Sequence, residues 1–141
     1  MLGIPPRALA IGLVLLSSAC APDDVFELRV AECESSMATP DGYGVFYSID
    51  DGQTQCFSGA CNQASQSGCL SGVETPDFPA DSNLEIQVVL YKQGFDAIAC
   101  SAPLSVRAHG DTEVTLALQC DAPSLGSCPV PPSDCEQRGT L

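Results

Sequence analysis

The chain of 141 residues has no tryptophan, a single histidine, and five Lys and Arg residues against 18 Asp and Glu. Its formal net charge is −13, and a surface of this sign repels nucleic acid backbones and anionic lipid headgroups, while it attracts cations and basic partners. The five Phe and three Tyr residues are also too few to favour a sugar-binding platform of stacked rings. We therefore expect no nucleic acid partner, and the acidic charge on its own indicates little more than solubility.

The sequence also lacks the usual signatures of catalysis and of metal–thiolate sites. His109, the only histidine, lies next to Gly110 in a predicted turn, where Asp111 is close enough to orient it. No serine lies in the Gly-x-Ser-x-Gly elbow of hydrolases, no Gly-rich loop suits a phosphate, and no carboxylate pair is singled out as a general acid and base. Zinc sites favour Cys-x-x-Cys pairs, and none occurs here. We predict a protein that is not an enzyme and has no cofactor, with a hydrolase as the less favoured alternative.

The N-terminus contains an apolar run without charge, from Ala8 to Leu16, after the basic Arg7. This run is far shorter than the ~20 residues that a membrane-spanning helix needs, but it is typical of the central region of a signal peptide. The small residues Ser17, Ser18 and Ala19 follow it and precede Cys20. An ordinary secretory signal peptide is compatible with the same residues, so a soluble secreted protein is one interpretation.

The segment Leu16-Ser17-Ser18-Ala19-Cys20 resembles the lipobox of bacterial lipoproteins, with the leucine one position earlier than usual. This resemblance covers the signal region only. It implies that residues 1–19 are removed and that Cys20 becomes an N-terminus carrying acyl chains such as palmitate, which anchor the protein to a membrane of the cell envelope. Ala21 after the cysteine implies the outer membrane, and the side of that membrane on which the domain lies stays open.

The nine cysteines support this interpretation, because an odd number leaves one thiol without a partner in an exported protein. If Cys20 carries lipid, eight cysteines remain for four disulfides. The spacing alone cannot choose among the many connectivities. Our predicted pairs, in order of preference, are Cys100–Cys120, Cys128–Cys135, Cys61–Cys69 and Cys33–Cys56.

Beyond a tether at residues 20–24, the mature chain alternates apolar and polar residues in short runs separated by Gly, Pro and Asp. This pattern predicts strands rather than long helices. The predicted strands cover residues 25–34, 43–50, 54–57, 82–92, 95–106 and 112–120. We therefore predict an all-β domain over 25–120, followed by an irregular tail over 121–141 rich in Pro and Cys. The architecture expected is a small antiparallel β-sandwich, immunoglobulin-like and stapled by disulfides.

The last two predicted strands suit a hairpin whose turn is centred on Gly110. In this register Val106 faces Val114 and Leu104 faces Leu116, which places the apolar residues on one face. The same register sets Cys100 opposite Cys120, and the first predicted disulfide depends on it.

The segment Ser58–Pro79 is long for a loop and poor in large apolar residues, although a short helix between Cys61 and Cys69 is weakly indicated. We predict that disulfides hold it and that it carries any recognition surface, since loops on rigid scaffolds commonly bind partners.

Asp50 and Asp51, which precede Gly52 in a predicted hairpin turn, are the best candidates for a calcium site. Their spacing does not match the EF-hand pattern, and acidic turns are common without metal. Further aspartates predicted near strand ends are Asp23, Asp24, Asp41, Asp77, Asp81 and Asp111. The sequence therefore predicts an envelope-anchored lipoprotein with a non-enzymatic binding or structural domain. Its expected partners are the membrane, through Cys20, and a protein at the envelope. A calcium-stabilised adhesin-like domain is the alternative.

Overall fold

The computed structural model describes Gly3 and residues 26–33, 39–79, 81–109 and 112–138. Strands dominate this part of the chain, and the helices are single turns. The strands are β1 (Phe26–Ala31), β2 (Gly42–Ile49), β3 (Gln55–Ala60), β4 (Asn83–Lys92), β5 (Asp96–Ser101), β6 (Leu104–Arg107), β7 (Thr112–Gln119) and β8 (Glu136–Gln137); the helices are α1 (Gln66–Cys69) and α2 (Ala122–Leu125). None of the helices described is long and apolar enough to cross a membrane.

The strands pair in the order β1-β7-β5-β4-β2-β3-β8, and β6 also pairs with β4. The β1–β7 and β3–β8 pairs are parallel, whereas the others are antiparallel. The predicted all-β, disulfide-stapled class is confirmed. The immunoglobulin-like sandwich is not confirmed, because the strands follow one continuous, curled path of mixed direction.

Strand β4 lies in the middle of this path and is buried on both faces over its second half. On one face, the main core includes alternate apolar residues of β4 and of β7, which are Ile86, Val88, Leu90, Val114, Leu116 and Leu118. On the other face, Val89 and Tyr91 are fully buried in a second cluster with Phe46 and Cys100. Cys128 packs against this second cluster, so the C-terminal segment covers a face that the sequence pattern leaves open.

The predicted strand over 95–106 is divided at Ala102 and Pro103 into β5 and β6. The predicted hairpin is wrong beyond this break, because β6 pairs with β4, where Leu104 lies beside Ile86 instead of Leu116. Proline has no backbone N–H to donate, which interrupts the ladder at this position. Strand β4 is ten residues long and β5 pairs only with its C-terminal part, so β6 supplies the hydrogen bonds along the remainder.

All eight cysteines predicted to be bridged are bridged. The pairs are Cys33–Cys120, Cys56–Cys135, Cys61–Cys69 and Cys100–Cys128. The predicted Cys61–Cys69 bridge is confirmed, and the predicted pairs Cys100–Cys120, Cys128–Cys135 and Cys33–Cys56 are wrong.

The wrong pairs follow from a register that differs from the prediction by one residue. Cys100 lies opposite Gln119, so Cys120 faces the other side of the ladder. Cys120 bonds to Cys33 because β1 runs parallel to β7 and both cysteines lie just past the strand ends. Cys100 points into the second cluster, where the C-terminal segment provides Cys128.

Candidate functional site

The first half of the predicted recognition loop forms a fixed structure beside β1. Ser65 caps α1, since its Oγ accepts a hydrogen bond from the Gly68 N–H at 3.0 Å. The Cys61–Cys69 disulfide closes the segment, and Cys69 and Leu70 are buried in the main core. These residues therefore belong to the folded domain and do not form a free loop.

Gln66 connects α1 to the end of β1. Its side chain is buried, and its Oε1 accepts a hydrogen bond from the Cys33 N–H at 3.1 Å. Its Nε2 lies 3.9 Å from Cys120 Sγ, so one amide contacts both halves of the Cys33–Cys120 bridge. Sequence analysis did not identify Gln66, because a glutamine in a polar segment gives no sign of burial.

Glu32 reinforces this attachment from the exposed side. Its Oε1 accepts hydrogen bonds from the backbone N–H and the hydroxyl of Ser67, at 3.0 and 2.9 Å. These bonds stabilise the ionised carboxylate, the backbone bond most, and hold the pKa of Glu32 below its ordinary value.

A second attachment joins the same segment to the start of β1. The Thr75 hydroxyl donates to the Phe26 carbonyl at 3.2 Å, and the Phe78 ring packs edge-on against the Phe26 ring with 5.0 Å between centroids. The segment 66–78 is thus fastened at both ends of β1, and the stretch between the fastenings stands apart from the strand.

A groove of about 420 Å³ lies in this gap. It is lined by Phe26, Glu27, Leu28, Arg29, Val30, Ser67, Leu70, Ser71, Gly72 and Val73. We call this the β1 groove, and Leu70–Val73 its outer wall.

Strand β1 presents an open edge to the β1 groove, since β7 is its only partner among the strands described. The Phe26 carbonyl points away from β7, toward Thr75. Backbone groups of alternate residues point to the same side of a strand, so the N–H and carbonyl groups of Leu28 and Val30 face the groove. Neither residue makes a backbone hydrogen bond outside the strand ladder within the described ranges. Such an edge can template pairing with a further strand.

The outer wall is held by its own contacts. The Val73 N–H donates to the Leu70 carbonyl at 3.1 Å, and the Asn62 side-chain amide donates to the Ser71 carbonyl. Behind the wall, the Arg138 guanidinium lies over the Phe57 ring and donates to the Glu74 carbonyl.

The charged side chains that line the β1 groove are Glu27 and Arg29, which form an ion pair. Arg29 Nη2 lies 2.7 Å from Glu27 Oε1, and Arg29 Nε lies 3.7 Å from Glu113 Oε1 on β7. The hydrogen bond with Glu27, and then the attraction of Glu113 and Glu27, raise the pKa of Arg29. Two carboxylates therefore lie beside this guanidinium, Glu27 on β1 and Glu113 across the β1–β7 pair.

The calcium candidates Asp50 and Asp51 have a structural role in the β2–β3 turn. Both adopt left-handed backbone conformations, with φ of 50° and 57°, and the Gly52 N–H donates to the Ile49 carbonyl at 2.9 Å. Asp50 Oδ1 accepts from the Asn83 N–H at 2.8 Å, which links this turn to β4. No group of three or more His, Cys, Asp or Glu residues suited to a metal ion occurs in the part of the chain that the structure describes.

His109 is paired with a residue that the sequence did not indicate. Its Nδ1 lies 2.8 Å from Asp81 Oδ1, and both side chains are well exposed. The pair connects the segments after β6 and before β4, which suits a structural role at a turn. The predicted partner Asp111 lies outside the described residues, as do Cys20, Asp23 and Asp24.

The β1 groove therefore combines backbone groups that have no partner within the described ranges, a braced wall, and a rim that carries the Glu27–Arg29 ion pair. Its titratable groups are engaged with neighbours, Glu32 with Ser67 and Arg29 with Glu27, which suits recognition better than proton transfer. No known protein family, curated protein or solved structure matches this chain.

Proposed function

We propose that the protein is an exported lipoprotein, acylated at Cys20, whose β domain has a non-enzymatic binding or structural role at the cell envelope. The observation that carries this proposal is the set of four disulfides, which uses eight of the nine cysteines. The ninth cysteine is Cys20. A disulfide-rich exported protein rarely keeps an odd thiol, and acylation would use it.

The position of the domain relative to Cys20 suits a membrane anchor. Strand β1 begins at Phe26, six residues after Cys20. Even fully extended, six residues span only about 20 Å, so the lipid would hold the domain close to the bilayer. After removal of residues 1–19, four basic and 18 acidic side chains leave a net charge of −14, which anionic headgroups repel. Attachment would therefore depend on the acyl chains and not on surface charge.

The proposed non-enzymatic role draws support from the way in which charged and polar side chains are used. Asp81 pairs with exposed His109, and Asp50 serves the β2–β3 turn. Asp121 accepts a hydrogen bond from the Ser124 hydroxyl at 3.0 Å, which lowers the Asp121 pKa. Each of these three carboxylates therefore serves a structural interaction at a turn or at the start of a helix.

Intact mass spectrometry of the full-length protein purified from membranes tests this proposal. We expect a mature chain beginning at Cys20, the added mass of acyl chains, and a loss of eight hydrogens for four disulfides. Cys20→Ser should abolish acylation, so that the protein no longer partitions into the detergent phase in a phase-separation assay. Ser18→Ala, which exchanges one small residue of the lipobox for another, should be processed normally. A free Cys20 thiol in the mature protein, or cleavage at another residue, would overturn the proposal.

A further inference from the structure

We propose that the β1 groove binds an extended, basic peptide segment of another protein by adding it as a strand to the free edge of β1. This inference deepens the binding role proposed above and is independent of the lipid at Cys20.

The backbone of β1 supplies the first argument. Leu28 and Val30 direct their N–H and carbonyl groups into the groove without a backbone partner within the described ranges. Exposed edges of this kind are commonly blunted by a proline, a bulge or a covering loop. Strand β1 contains no proline and no bulge between its two fastenings, and the segment that lies along its edge leaves a gap there. A peptide in extended conformation would satisfy the four unpaired groups, which is the basis of recognition by strand addition.

The shape of the groove supplies the second argument. Glu32 and Ser67 fix one end, and Thr75 with Phe26 fixes the other, so the gap does not have to open for a ligand. Neighbouring strands lie about 4.8 Å apart, and a volume of 420 Å³ falls within the usual range of binding clefts. Gly72 in the outer wall has a φ of 73° and no side chain to narrow the cleft.

Charge complementarity identifies the occupant. Of the exposed charged side chains, Glu27 and Arg29 line the groove and Glu113 lies on β7, across β1 from it, and Arg29 is already held by the two glutamates. Lys or Arg at alternate positions of an added strand would meet this rim, while the intervening positions would face the partly buried Leu28 and Val73. A second copy of this chain is disfavoured, because it would bring the same carboxylates and the same −14 charge to the contact.

The test uses the membrane-purified protein in detergent and a fluorescent seven-residue peptide of alternating Lys and Val. Fluorescence anisotropy should show saturable binding that weakens with salt. Two further versions of this peptide are N-methylated at alternate residues, one at the Lys positions and one at the Val positions, so that each loses the N–H donors along one edge. The version whose methylated edge faces β1 should bind at least about tenfold more weakly than the other. A peptide of alternating Asp and Val should not bind.

Two variants separate edge pairing from charge. Leu28→Pro removes a donor on the free edge and leaves the bonds of Glu27 and Arg29 to β7 in place, so it should abolish binding. The double variant Glu27→Lys with Glu113→Lys reverses the charge of the two side chains beside Arg29. It should weaken binding about tenfold without disturbing the backbone of β1. Asp134→Lys, an exposed acid on the C-terminal segment, is the matched control and should bind normally.

Three outcomes would overturn the inference. They are the absence of saturable binding to the Lys-Val peptide, equal binding of both N-methylated peptides, and self-association of the protein that Leu28→Pro abolishes, which would mean that a second copy fills the groove. The mass of the same sample reports acylation at Cys20. An acylated protein that does not bind peptide would overturn this inference alone, whereas binding by a protein with a free Cys20 would overturn the anchor alone.

Discussion

The Tyr91 hydroxyl donates a hydrogen bond to the Pro129 carbonyl at 2.7 Å, across a face of the sheet that the sequence pattern leaves open. Tyr91 is fully buried, and the bond joins the central strand β4 to the C-terminal segment. Together with the Cys100–Cys128 and Cys56–Cys135 bridges, it makes residues 121–138 a cover for the second cluster.

Tyr91→Phe should therefore destabilise the protein. The substitution keeps the ring but leaves the Pro129 carbonyl without its donor, and we expect the free energy of unfolding to fall by about 1–2 kcal/mol. Guanidinium titrations with the disulfides intact measure this change. Tyr47→Phe, whose hydroxyl bonds to the exposed Gln55 side chain, is the control and should cost less because water can replace that partner. Equal losses in both variants would argue against a special role for the bond to Pro129.

The same tyrosine predicts how stability depends on alkaline pH. Burial raises the pKa of Tyr91 well above its ordinary value, and raises those of Tyr43 and Tyr47 in the same direction. Because the unfolded tyrosines lose their protons near pH 10 while the folded ones keep them, the tyrosine contribution to the free energy of unfolding should be constant below this pH and fall above it. Tyr91→Phe should flatten that fall between pH 9.5 and 11, measured by denaturant titration. A fall of the same steepness in Tyr91→Phe would contradict the assignment.

The local alternation of apolar and polar residues was enough to predict the strands that bury every second residue in the core. The inward-facing apolar residues of β4 and β7 repeat every second position, so both strands and their buried faces follow from the sequence. The Asp-Gly pair likewise indicates the turn between β2 and β3. Contacts between residues far apart in sequence did not follow. Nothing local shows that β1 runs parallel to β7, or that Pro103 ends the pairing of β5 with β7.

The β1 groove was beyond sequence analysis for the same reason. Its outer wall lies in a segment that composition marks as a loop, and only contacts between residues far apart in sequence, such as Gln66 with Cys33 and Thr75 with Phe26, place that segment beside β1. The prediction that Ser58–Pro79 carries a recognition surface is untested, but the structure shows that its middle part, from Ser67 to Val73, lines the groove. Likewise, the Asp81–His109 pair spans 28 residues and has no local signal.

Gln66→Ala should loosen the attachment of α1 to β1. The Cys33 N–H would lose its acceptor in a partly buried position, and we expect a loss of about 1–3 kcal/mol in the free energy of unfolding. Amide hydrogen exchange should be faster at Cys33 and within α1 than in the parent protein. The exposed Gln53→Ala is the control and should leave both measurements unchanged. Unchanged exchange at Cys33 in Gln66→Ala would show that the amide does not hold this end of the groove.

Ser67→Ala should change the titration of Glu32 in a defined direction. The Ser67 backbone N–H and hydroxyl both donate to Glu32 Oε1 and keep its pKa below the ordinary value. Removing the hydroxyl leaves the stronger backbone bond, so the Glu32 pKa should rise only part of the way toward that value, as measured by NMR titration.

In the parent protein, the interaction of Glu32 with Ser67 stabilises the fold above the unfolded pKa of Glu32, near 4.5, and is lost as pH falls through the lower folded value. Glu32→Gln should therefore make the stability of α1 less dependent on pH. Hydrogen exchange of the α1 amides between pH 3 and 5 measures this dependence. If the Glu32 pKa fell in Ser67→Ala, the hydroxyl would not be donating to the carboxylate, and the attachment at this end of the groove would depend on the Ser67 backbone N–H and on Gln66.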